Sequence, residues 1–188
     1  MPQSLRKTVV LVGMMGAGKT AVGTQLARKL GVDFVDQDVE IERAANATVA
    51  EIFAEYGEAF FREKEALVLD RLMRGPPSVL STGGGAYLSD RNRATIRAHG
   101  VAVWLQAELN LLWARVRHRK TRPLLQTEDP YGTLAALYAA RVPIYAQAEI
   151  HVPTYSTFTI DDTANEVIRA LARHPGVLDP SPHAARPR

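Results

Sequence analysis

The chain of 188 residues has no cysteine, which excludes disulfides and thiolate metal sites and fits a reducing compartment. No apolar run approaches the roughly 18 residues of a membrane span, and Met1 to Lys7 is polar with no secretory apolar core behind it. A cytoplasmic location without a membrane partner is therefore expected. Charge of one sign is also scarce. The net charge is only +3, and between Arg173 and Arg188 three arginines stand against one aspartate, so two of the three net charges lie in that stretch. The remainder is too small to mark a nucleic-acid-binding face, and no nucleic-acid partner is expected. Repeats and linkers are lacking too, so the length implies one domain with a sizeable core. The stretch 173–188, "RHPGVLDPSPHAARPR", is rich in proline and reads as a disordered tail, leaving 1–172 as the domain.

What is present alternates between two periods. "TVVLV" (Thr8 to Val12) is a β-branched apolar run, as in a strand buried on both faces. From Lys19 to Leu30 apolar residues recur at helical spacing until Gly31, and "DFVD" (Asp33 to Asp36) reads as a second strand. Thr48 and Glu51 form a capping box for a helix ending at Gly57, followed by a helix from Glu58 to Met73. "SVLST" (Ser78 to Thr82) and "VAVWL" (Val101 to Leu105) are further strands, separated by a helix from Ser89 to Ala98. Helices are expected over Glu108–Arg117 and over Thr133–Gln147, the latter interrupted by Pro143. "EIHVPT" and "TFTID" both read as strands, before a last helix from Ala164 to Ala172 opened by Thr163 and Glu166. Strands and helices in this alternation predict an α/β fold: a doubly wound parallel sheet flanked by helices, with ligands outside the carboxyl ends of the strands.

Gly13 to Thr20, "GMMGAGKT", fits the P-loop pattern between a strand and a helix. The backbone N–H groups of Gly13, Gly16, Ala17 and Gly18 can surround phosphate oxygens, Lys19 can reach the β and γ phosphates, and the Thr20 hydroxyl can ligate Mg²⁺. The pattern implies a nucleoside triphosphate with Mg²⁺, without naming what receives the phosphate.

Other residues narrow the acceptor. Asp36 and Asp38 at the second strand end face one side if the chain stays extended, where they can serve Mg²⁺ and a hydroxyl; alternatively they only favour a helix N-terminus, with Asp38 as its cap. Arg62, one helical turn from Glu65, is either an exposed ion pair or a guanidinium held for an anionic substrate. Gly83 to Gly85 is a flexible turn or a close backbone approach to a ligand. Arg115, Arg117, Arg119, Lys120 and Arg122 run from a helix C-terminus into a long loop, about 118–132, of the kind that forms lids. Arg141 stands before Pro143.

In their order and spacing these residues resemble the shikimate kinase family: "GMMGAGKT", "DQD" at Asp36 to Asp38, "FRxxE" at Phe61 to Glu65, "GGG" at Gly83 to Gly85, "RPLL" at Arg122 to Leu125 and "RxPxY" at Arg141 to Tyr145. The resemblance implies a P-loop kinase with a mobile lid that transfers the γ-phosphate of ATP to the 3-hydroxyl of shikimate. It implies Lys19 on the phosphates, Thr20 on Mg²⁺ directly and Asp36 through water, and Asp38 at the acceptor hydroxyl. Arg62 and Arg141 would hold the carboxylate, Gly84 and Gly85 would line the pocket, Arg122 would be the lid arginine and Arg115 would stack on adenine. One departure is that many relatives place a proline before the last helix, against the other adenine face, whereas "DDTANE" (Asp161 to Glu166) has none. The expected partners are the small molecules ATP and shikimate, and the expected state is a monomer. A kinase for another hydroxy acid such as gluconate, or a nucleotide-dependent switch, are the competing readings. The chain has no NKxD and no LSGGQ sequence to favour a switch.

Overall fold

The computed structural model describes residues 4–119 and 123–179. Strand β1 (Thr8–Val12) is buried throughout, with Val9, Val10, Leu11 and Val12 fully inaccessible. A strand apolar on both faces belongs in the interior of a sheet, and β1 is the central one. It is joined by β2 (Phe34–Asp36), β3 (Val79–Ser81), β4 (Gly100–Ala107) and β5 (Ile150–Thr154) in the order β2-β3-β1-β4-β5. All pairings are parallel, and Val10 lies between Leu80 on one side and Ala102 on the other.

From β1 the chain passes through helix α1 (Lys19–Leu30) to the outer strand β2, returns to β3, and crosses β1 to β4 and β5. Connections leaving β1 and β4 thus diverge, which opens a crevice at the carboxyl ends of the strands. Helix α1 buries Val22, Gly23, Leu26, Ala27 and Leu30, and Gly31 ends it at φ 67°, as the sequence predicts.

Helices α2 (Gln37–Ala45) and α3 (Val49–Met73) close over a small second core of Ile41, Ile52, Phe61 and Val68. The capping box of Thr48 and Glu51 forms, and the expected break is present at Gly57, which is non-helical at φ 78° within α3. Helix α4 (Asp90–His99) starts at Ser89 and stops at Gly100. Helices α5 (Leu109–Val116) and α6 (Pro130–Tyr145) connect β4 to β5. Pro143 does not interrupt α6, which runs on to Tyr145; Ala139, whose carbonyl loses its N–H partner, is exposed.

Two expectations at the C-terminal end are corrected. "TFTID" is not a strand: Phe158 N–H bonds to the Tyr155 carbonyl in a turn, and helix α7 (Ile160–Arg173) begins at once. Its capping box is Thr159 with Asp162, one turn before the expected Thr163 and Glu166. The earlier start wins because it puts Thr163, Ala164, Val167 and Leu171 on one buried stripe, and Thr163 bonds back to the Thr159 carbonyl instead of capping. Beyond α7 the chain is described as far as residue 179. Leu178 pairs antiparallel with Leu5, and Val177 is 1% exposed against the main core, because these two apolar residues complete the cover over the sheet. The rest of the expected tail, 180–188, lies outside the described residues. Among the described residues no helix is long and apolar enough to cross a membrane.

Candidate active site

The turn from β1 to α1 is built from left-handed glycines. Gly13, Gly16 and Gly18 have φ of 142°, 81° and 94°, a region costly to residues with a Cβ. Space is short as well: a Cβ on Gly16 would stand 2.7 Å from Val116 Cγ1, and one on Gly13 3.0 Å from the Leu105 carbonyl oxygen. Gly18 caps α1 without a side-chain bond, so the first N–H groups of the helix, with its partial positive end, are left for an anion. Lys19 Nζ donates to the carbonyls of Gly13 (2.8 Å) and Met14 (3.1 Å), which stretches the ammonium across the loop. Arg115 Nη1 donates to the Gly16 carbonyl at 3.1 Å, and burial lowers the guanidinium's pKa.

The loop opens on a cavity of about 700 Å³ at the carboxyl ends of the strands. Gly16, Ala17, Gly18, Lys19, Thr20, Asp36, Asp38, Gly83, Gly84 and Arg115 all line it. Sequence reasoning missed further lining residues, Phe158, Thr159, Ile160 and Thr163, which share the cavity with Arg115 and Arg119. The T-x-x-D pattern at Thr159 carried the signal and was masked by the strand reading of "TFTID".

Asp36 and Asp38 do reach the same cavity, but not along an extended chain. The helix starts immediately after Asp36, which is its N-cap: one carboxylate oxygen accepts the N–H of Asp38 (3.0 Å) and of Val39 (3.3 Å). Asp38 is therefore not the cap, and its carboxylate is turned to the triple glycine, where a Cβ on Gly83 would stand 3.1 Å from Oδ1. Burial, and next the negative charge of Asp36, raise the pKa of Asp38, while Lys19 and Arg62 oppose this. A carboxylate so placed holds a hydroxyl proton more strongly than a solvated one.

The next two glycines face the two arginines. A Cβ on Gly84 would stand 3.1 Å from Arg141 Nη1, and one on Gly85 2.6 Å from Arg62 Nη2. Consecutive Cα atoms are about 3.8 Å apart, so Asp38, Arg141 and Arg62 meet along three residues. Arg62 is held by both oxygens of Glu65 at 3.0 Å, by Glu58 at 3.5 Å, and over the ring of Phe61. Glu65 is 1% exposed, and burial raises its pKa despite the neighbouring Arg62. Buried Gln37 donates to the Glu65 carbonyl at 3.0 Å and so ties α2 to α3 below the site. The expected ion pair of Arg62 with Glu65 forms, on a side chain that is 36% exposed. Arg122 lies outside the described residues.

No cluster of three or more acidic, histidine or cysteine side chains able to hold a metal occurs among the described residues. Mg²⁺ does not require one, since it binds through one or two protein oxygens completed by water and phosphate. Thr20 and Asp36, on the same cavity wall as the phosphate-binding loop, fit that donor set.

A phosphate-cradling loop that shares its cavity with Asp38, with two guanidinium groups against the glycines that continue that wall, defines a P-loop kinase for a small molecule. The family model for shikimate kinase matches residues 15–172. The chain is 61% identical to a shikimate kinase of Cereibacter sphaeroides over 93% of this chain and 87% of that one. It is 57% identical to a shikimate kinase of Ruegeria pomeroyi over 94% and 90%. The structure of the Acinetobacter baumannii shikimate kinase in complex with shikimate superposes with a TM-score of 0.81 at 39% identity, covering 87% of this chain and 91% of that one. The chain belongs to the shikimate kinase family.

Proposed function

We propose that the chain transfers the γ-phosphate of ATP to the 3-hydroxyl of shikimate, giving shikimate 3-phosphate and ADP. The observation that carries this reading is the convergence of Asp38, Arg141 and Arg62 on Gly83, Gly84 and Gly85 beside the Lys19 loop. Two forked cations suit one carboxylate, and one carboxylate suits one hydroxyl.

In the proposed reaction the glycine loop and Lys19 bind the phosphates, and Arg62 with Arg141 fixes the acceptor's carboxylate. Asp38 accepts the hydrogen bond of the acceptor hydroxyl and aligns its oxygen with the γ-phosphorus. That oxygen bonds to phosphorus as the bond to the β-γ bridging oxygen breaks, its proton passes to Asp38 and ADP leaves, while Lys19 with Arg122 stabilises the charge that develops. Mg²⁺, held by Thr20 directly and by Asp36 through water, would neutralise the phosphate oxygens. Adenine lies between Arg115 and the wall of Phe158, Thr159 and Ile160. The segment 118–132 acts as the lid that excludes water. One chain supplies every group described, which supports a monomer, and supply of ATP supports a cytoplasmic location. The substrates are small molecules, with no nucleic acid or membrane involved.

A coupled assay of ADP release, run with and without shikimate, tests the proposal. Release should depend on shikimate and match formation of its 3-phosphate by mass spectrometry. Release that is indifferent to shikimate, or faster with gluconate, would overturn it.

A further inference from the structure

Tyr145 closes α6 four residues after Arg141, which puts both side chains on one face of the helix. Its ring is fully buried, yet its hydroxyl donates to the Gly84 carbonyl at 2.5 Å and lies beside the Arg141 guanidinium at that glycine. A phenylalanine would fill the same space, so the hydroxyl is explained by that polar contact and not by packing. That bond uses its single donor and leaves its lone pairs for the neighbouring guanidinium. Burial raises the phenol's pKa, so the group stays a neutral donor across the working pH range.

Arg62 has Glu65 and Glu58 to hold it. Arg141 has no such carboxylate among the described residues, although a long side chain needs restraint to present one edge of its fork. Gly84 lies against both partners, at 3.1 Å from Arg141 Nη1 and 3.7 Å from Tyr145 Oη to a Cβ placed there. We propose that Tyr145 is a positioning residue for the acceptor: its hydroxyl joins the Gly84 carbonyl to the Arg141 guanidinium and so aims the arginine at the substrate carboxylate. This rests on the reading of Arg141 given under Proposed function.

The experiment compares Tyr145→Phe, Arg141→Ala and the double variant by coupled ADP release, with Tm recorded for each. The expected result for Y145F is a rise of about tenfold in KM for shikimate, with KM for ATP within about twofold, a smaller change in kcat, and Tm nearly unchanged. In the R141A background the same substitution should add little, because its target is gone. An unchanged KM for shikimate in Y145F, or an effect of full size in the R141A background, overturns the inference. So does a fall of Tm with both KM values shifted together, which would mark the hydroxyl as a part of the core alone. If R141A itself leaves KM for shikimate unaltered, the carboxylate reading fails and the inference with it. If R141A raises KM and Y145F does not, only the role of Tyr145 fails.

Discussion

Gly85 and Arg62 are in such close approach that a Cβ on the glycine would stand 2.6 Å from Nη2 and 2.7 Å from Nη1. Any retreat of the guanidinium disturbs its pairs with Glu65 and Glu58. Gly85→Ala should therefore displace the arginine while leaving the phosphate loop intact. We expect KM for shikimate to rise at least about tenfold, equivalent to about 1.4 kcal/mol. KM for ATP should stay within about twofold, and steady-state kinetics with each substrate varied in turn checks both.

Asp38→Asn keeps the shape of the side chain but weakens it as an acceptor for the hydroxyl. A fall in kcat of about 100-fold or more is expected, with ATP binding by calorimetry nearly unchanged. An unchanged kcat would remove Asp38 from the mechanism.

The pH dependence follows from the same carboxylate. Burial first, and the charge of Asp36 next, raise its pKa, so as pH falls Asp38 takes up its proton earlier than an ordinary aspartate at about 3.9. The protonated form is a weaker acceptor and cannot take up the hydroxyl's proton. The acid limb of the kcat profile should accordingly lie above the ordinary aspartate range, and the residual rate of D38N should lack it.

Removal of divalent cation with EDTA should abolish turnover, and Mg²⁺ should restore it. Thr20→Val removes the proposed ligand oxygen at nearly constant volume, and about tenfold more Mg²⁺ should then be needed for half-maximal rate. Affinity for shikimate, read by titration in the absence of nucleotide, should not change.

Gly23 offers a test of stability away from the chemistry. In the middle of α1, alanine would gain about 1 kcal/mol of helix propensity over glycine, but its Cβ would meet Phe34 Cε2 at 2.6 Å. Overpacking of that kind costs about 1–3 kcal/mol. The clash is the larger effect, so Gly23→Ala should lower Tm by a few degrees, about 2–4 °C per kcal/mol for a chain of this size, as differential scanning calorimetry would show.

Features whose physics is local were legible from the order of residues alone. Gly13, Gly16 and Gly18 ahead of Lys19 require a left-handed loop at the end of a buried strand, and the capping box of Thr48 and Glu51 and the stop at Gly31 need only their neighbours. A local pattern did not suffice where two readings were equally good nearby. Thr159 with Asp162 and Thr163 with Glu166 both fit a helix start, and the choice fell to the stripe of α7 that is buried in the core. Asp36 rather than Asp38 became the cap of α2 because the helix begins directly at the strand end. The meeting of Asp38, Arg62 and Arg141 on three glycines, and the Tyr145 hydroxyl beneath them, join parts of the chain far apart in sequence. Order and spacing can suggest such a meeting only by resemblance. Its geometry is decided by how the helices pack on the sheet, since contacts between distant residues exist only once the layers have closed.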